Sequence, residues 1–87
     1  MTYEFRLSGD AESYLRRLDE ATQERIRGRL AQIASDPFGP HTKALTGTGS
    51  MRSARVGGYR ILFRVDRAAV TVGVSVIGPR GQVYRDA

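Results

Sequence analysis

The chain has no cysteine and no tryptophan, one histidine, and a single lysine among fourteen basic residues. The missing thiols exclude disulfides, thiolate nucleophiles and sulfur-bound metals at once, and they make the cytoplasm the default address. His41 lies in a loop between Pro40 and Thr42. No carboxylate cluster at ligand spacing accompanies it, so it reads as a solvated residue and neither a metal nor another cofactor is expected. Long apolar runs are absent too. Met1 to Leu7 alternates polar with apolar residues, which fits neither a signal peptide nor a membrane span, and no membrane association is expected. There is no Gly-x-Ser-x-Gly elbow. Gly47-Thr48-Gly49-Ser50 lacks the lysine and following helix of a phosphate-cradling loop and reads as a flexible connection.

What remains is 87 residues, 40% hydrophobic and 26% charged, enough for one small core and therefore one domain spanning residues 1–87. The net charge of +5 calls for an anionic partner, either nucleic acid or an acidic protein segment. Its distribution is uneven. Residues 1–36 carry six arginines against seven acids, whereas residues 37–87 carry eight basic residues against Asp66 and Asp86. The positive field belongs to the second half, and arginine's planar fork suits bidentate phosphate contacts.

Tyr3, Phe5 and Leu7 alternate with Glu4 and Arg6, the period of a half-buried strand. Ser8 and Asp10 are good caps for a short helix whose Ala11, Tyr14, Leu15 and Leu18 share one face. Asp19 can cap a second helix with Thr22, Ile26, Leu30 and Ile33 as its apolar stripe, leaving Glu20, Glu24, Arg25, Arg27 and Arg29 to water. Gly28 weakens that helix, and Pro37 and Pro40 end it. Residues 41–50 read as a polar loop. A strand from about Met51 to Val56 then meets a hairpin signal at Gly57-Gly58. Tyr59, Ile61, Phe63 and Val65 alternate with Arg60, Leu62, Arg64 and Asp66, and after a turn Val70, Val72, Val74 and Val76 form the apolar face of a last strand. Its other face, Thr71, Gly73, Ser75 and Ile77, is mostly small. The expected fold is α+β: an N-terminal strand, a two-helix hairpin, then a three- to four-stranded antiparallel sheet.

Alternation sends Arg60 to the face opposite the core, over Gly73 and Ser75. Arg55 and Arg80 come from neighbouring segments, with Tyr84 four residues beyond. By alternation alone such arginines are ordinary solvated residues of an exposed sheet face. Converging on a shallow floor, they would instead hold a phosphodiester and stabilise the charge of a pentacoordinate transition state, with Tyr84 able to stack on a base.

Two blocks, Ser53-Ala54-Arg55-Val56-Gly57-Gly58-Tyr59-Arg60-Ile61-Leu62-Phe63 and Val76-Ile77-Gly78-Pro79-Arg80-Gly81-Gln82-Val83-Tyr84-Arg85, together with Leu45, resemble the Arg-x-Gly-x-Tyr-Arg and Gly-x-Arg-x-x-x-Tyr patterns of the RelE/ParE toxin superfamily. The resemblance spans the chain. It implies a RelE-like toxin of a type II toxin–antitoxin system, an endoribonuclease that cleaves mRNA in the ribosomal A site by 2'-hydroxyl attack without metal. It implies catalytic roles for Arg55, Arg60, Arg80 and Tyr84: Arg60 on the scissile phosphate, Arg80 at the leaving 5'-oxygen, Tyr84 on the nucleotide. Lys43, Arg52 and Arg64 would add RNA contacts. The implied partners are the ribosome with its mRNA and a cognate, acidic, partly helical antitoxin, with DNA reached only through the antitoxin complex. Two departures bear on the chemistry. Where active members often carry lysines the chain has Arg52, Ser53 and Arg55, and where many carry a histidine it has Pro79. Arginine is a poor general base, so the base is unassigned. A ParE-like inhibitor of DNA gyrase on the same fold is the alternative, and a decayed toxin that only binds its antitoxin is a third.

Overall fold

Helix starts follow the side chains that can satisfy free amides. The computed structural model describes residues 2–45 and 51–79; Arg80 and Tyr84, and the Gly47–Ser50 loop reading, lie outside them. Ser8 caps α1 (Gly9–Arg16), its hydroxyl accepting from the Ala11 amide at 3.1 Å and donating to the Ser75 carbonyl at 2.7 Å. Asp19 caps α2 (Glu20–Ser35) by accepting from the Thr22 hydroxyl at 2.6 Å and the Thr22 amide at 3.1 Å. Those bonds, the hydroxyl's first, hold the Asp19 carboxyl below the usual carboxylate range. Among the described residues no helix is long and apolar enough to cross a membrane.

Five strands form one sheet: β1 (Glu4–Leu7), β2 (Thr42–Ala44), β3 (Met51–Val56), β4 (Tyr59–Asp66) and β5 (Thr71–Pro79), in the order β1-β5-β4-β3-β2. The α+β architecture is as expected, with two additions. β1 joins the sheet as a parallel edge beside β5, and the polar stretch after Pro40 supplies the other edge, β2, paired with β3. Thr42 is polar yet fixed there, because its hydroxyl bonds the Pro37 and Gly39 carbonyls at 3.1 and 2.9 Å and accepts from Arg52 at 2.8 Å.

Both helices lie on one face of the sheet. Ala11, Leu15, Ile26, Leu30 and Ile33 pack with Ala54, Val56, Ile61, Phe63, Val72, Val74 and Ile77 into a single core. Tyr14 meets Tyr59 edge-on at 6.4 Å between ring centroids; burial, then the neighbouring Tyr59, pushes its phenol pKa up. Gly57 opens the β3–β4 hairpin at φ 56°, the left-handed conformation that a primed two-residue turn needs.

The last strand departs from simple alternation. Leu62 pairs with Val76 but Phe63 pairs with Val74, so Ser75 is an extra residue in a β-bulge. The bulge reverses the phase of everything after it. Ile77, expected on the open face, turns into the core, while Val76, expected in the core, pairs with Leu62 on the other side. Val70 is not in the strand at all but in the preceding turn, at φ 55°.

Candidate functional site

The face away from the helices carries the residues that alternate with the core set on β3 and β4. Register places Arg55 directly across from Arg60, and Ser53 across from Leu62, with Lys43 of β2 beside Ser53. Like charges directly opposite on a sheet repel and destabilise it. Arg60 is nonetheless 8% exposed, and Ser53 is 1% exposed with a hydroxyl that has no hydrogen-bond partner among the described residues. The bulge corrects one expectation here. Arg60 does not lie over Gly73 and Ser75; it pairs with Gly78, and Gly73 pairs with Arg64.

A cavity of about 300 Å³ opens beside this pair. Its position follows from strand length: the β2–β3 pairing stops at Thr42–Ala54, so among the described residues Arg55 and Val56 continue past it with no strand neighbour on that edge. Pro40 and His41 from the preceding loop and Arg29 from α2 close around the gap, joining Lys43, Ser53, Arg55 and Arg60 in the lining. Among the described residues no carboxylate lines it. Cationic forks, an ammonium, an imidazole and a hydroxyl around one cavity make a receptor for an anion, with the bidentate geometry that phosphate oxygens favour.

Three expected site residues therefore meet in one place: Lys43, Arg55 and Arg60. Arg52 and Arg64 do not join them. Arg52 sits on the helix side, where its guanidinium donates to the Pro37 carbonyl at 3.1 Å and to Thr42 and lies 5.0 Å from the Phe38 ring centroid. That is a structural brace for the loop after α2. Arg64 is exposed on the open face farther along β4, its Nε 3.1 Å from the Met51 sulfur. Two contributors were missed from sequence. Arg29 was assigned to water by its place on α2, and His41 to a solvated loop. Only the fold brings either to the cavity, although Pro40 just ahead of His41 marks a constrained turn.

The family model for the ParE toxin of the type II toxin-antitoxin system, parDE, matches residues 5–84. The chain belongs to the RelE/ParE toxin superfamily. Solved structures agree: the E. coli toxin RelE, as a free variant, is 25% identical with a TM-score of 0.81 over 100% of this chain and 95% of that one. The RelE–RelB complex of the archaeon Pyrococcus horikoshii OT3 matches at 25% identity and a TM-score of 0.80, covering 94% of this chain and 99% of that one. The RelBE2 toxin–antitoxin complex of Mycobacterium tuberculosis, at 24% identity, has the same fold with a TM-score of 0.82 over 92% of this chain and 93% of that one. No curated protein matches the sequence.

Proposed function

We propose that this RelE/ParE toxin is a ribosome-dependent endoribonuclease that cleaves mRNA in the A site, held silent by a cognate antitoxin. The observation that carries the reading is the cross-strand pair of Arg55 and Arg60 at the mouth of a cavity that Lys43, His41 and Arg29 complete. Several cationic side chains held around one cavity match the charge and the oxygen geometry of a phosphodiester. A scissile phosphate between Arg55 and Arg60 would have its growing negative charge met by groups already fixed in place. The ribose 2'-oxygen attacks phosphorus, the bond to the 5'-oxygen breaks, and the products are a 2',3'-cyclic phosphate and a 5'-hydroxyl. His41 is a lining side chain able to accept the 2'-hydroxyl proton, a task arginine performs poorly, and the departing 5'-oxygen takes up a proton from water to become the 5'-hydroxyl. Arg80 and Tyr84, carried by resemblance, would supply the leaving-oxygen contact and a stacking surface.

Primer extension on translating ribosomes tests this. Wild-type protein cuts in the A site, and Arg60→Ala slows cutting by about 10²–10³, the usual loss when a transition-state donor is removed. His41→Ala slows it as well and recovers when imidazole is added, which a merely structural histidine would not do. Equal cutting by Arg60→Ala removes the proposal. One finding favours a second reading, inhibition of DNA gyrase: the matching family model is that of ParE. Loss of supercoiling at low ratios of protein to gyrase, with no RNA cleavage, would select it. The antitoxin reading rests on the relatives solved with RelB and on the positive second half of the chain, to which an acidic segment is complementary. Any operator DNA would then be bound through that complex.

A further inference from the structure

Gly28 lies in the middle of α2, where glycine weakens a helix, and no close approach by the described residues requires it. A Cβ built there meets no atom within 4 Å. Arg25, Gly28, Arg29 and Gln32 recur at three- and four-residue spacing, hence on one helix face. That face meets Val56 and Gly57 across a second cavity of about 320 Å³. Gly57, also without a side chain, is where the Arg25 guanidinium comes close: a Cβ there would lie 2.8 Å from its terminal nitrogen. Arg29 lines this cavity and the one beside Arg55 and Arg60. Its Nη1 donates to Gln32 at 2.6 Å, while its buried Nε has no hydrogen-bond partner among the described residues. Among the described residues no carboxylate lines either cavity.

We infer that the cleft between α2 and the β3–β4 turn is a second phosphate subsite, taking another backbone phosphate of the same RNA strand, with Arg29 between the two sites. The inference rests on reading the first cavity as a site for an RNA phosphodiester. The open space over Gly28 lets a sugar–phosphate backbone approach closely, Gly57 makes room for the Arg25 guanidinium, and the arginine forks match the backbone's oxygens. An acidic helix is the poorer fit, because among the described residues Val56 is the only sizeable apolar side chain in the lining and a docked helix needs several apolar anchors.

Uncleavable 2'-O-methyl RNA provides the test, as a dinucleotide with one phosphate and as an oligomer of about 12 nucleotides, within the roughly 4–16 that single-strand binders cover. Binding is followed by displacement or fluorescence anisotropy through a salt series. Arg60→Ala weakens both RNAs. Arg25→Ala and Gly28→Leu weaken the oligomer about tenfold and leave the dinucleotide unchanged, and Arg25→Ala lowers the salt slope for the oligomer by about 0.7. Leucine is the better helix former, so Gly28→Leu keeps or raises the melting temperature and its loss of binding is not unfolding. The second subsite is overturned if either variant binds the oligomer like wild type, weakens both RNAs equally, or loses a polyglutamate probe to the same extent. Dinucleotide binding that depends on Arg60 without any gain for the oligomer sinks the subsite alone; failure of both RNAs to bind sinks the RNA reading with it.

Discussion

Ser53 carries a hydroxyl that is buried without a hydrogen-bond partner, a state that destabilises a protein by about 1–3 kcal/mol. It lines the cavity with Lys43 and Arg55, where it could donate a hydrogen bond to a phosphate oxygen. Ser53→Ala should therefore raise the unfolding free energy by about 1 kcal/mol, read from denaturant melts, while lowering RNA cleavage. A variant that is more stable and equally active would mean the hydroxyl has no ligand. Legibility at this scale divided by mechanism. Alternation alone assigned Arg60 to the face opposite the core, because side-chain direction in a strand is a local property. The same logic could not see that Arg52, one position out of phase, would be captured by Pro37, Thr42 and Phe38. Nor could it bring Arg29 and His41 to the cavity, since their neighbours are set by how α2 and its following loop pack on the sheet edge.

Helices and strands were legible where capping and period act locally. Both N-caps, Ser8 and Asp19, and the buried stripe of Ile26, Leu30 and Ile33 follow from residue type and spacing. The bulge at Ser75 was not legible, because Val70, Val72, Val74 and Val76 keep perfect alternation in sequence while the backbone inserts a residue between them. Ser8 explains how the insertion is tolerated: its hydroxyl satisfies the carbonyl of Ser75, and its amide donates to Val74 at 2.9 Å. Ser8→Ala removes the cap and the bulge contact together. It should destabilise by about 1–2 kcal/mol, lowering the melting temperature by roughly 4–8 °C per kcal/mol for a domain of this size. No change in melting would mean the bulge holds by itself. Val70 makes the opposite prediction. A β-branched residue in the left-handed region is strained by about 1–2 kcal/mol, and its carbonyl accepts from the Glu4 amide at 3.0 Å, a bond that glycine would keep. Val70→Gly should thus hold or raise the melting temperature despite losing a half-buried side chain, and a fall of several degrees would show that packing outweighs the strain.

The whole molecule is shaped by where its charge lies. The excess of +5 comes from the second half of the chain, and the fold gathers Lys43, Arg55 and Arg60 from it, with Arg29 from α2, around one cavity. An anion that binds the folded cavity should stabilise the protein by mass action. At a tenfold excess of ligand over its Kd the gain is about 1.4 kcal/mol, or roughly 6–11 °C in melting temperature at this size. Inorganic phosphate should therefore raise the midpoint more than chloride at equal ionic strength, since general screening acts alike for both while only phosphate can bridge two guanidinium forks. Arg55→Ala and Arg60→Ala should erase the difference between the salts and leave the response to chloride in place. Identical midpoints in both salts for the wild-type chain would mean that the converged cations hold no specific anion, and the phosphodiester reading of the cavity would lose its electrostatic basis.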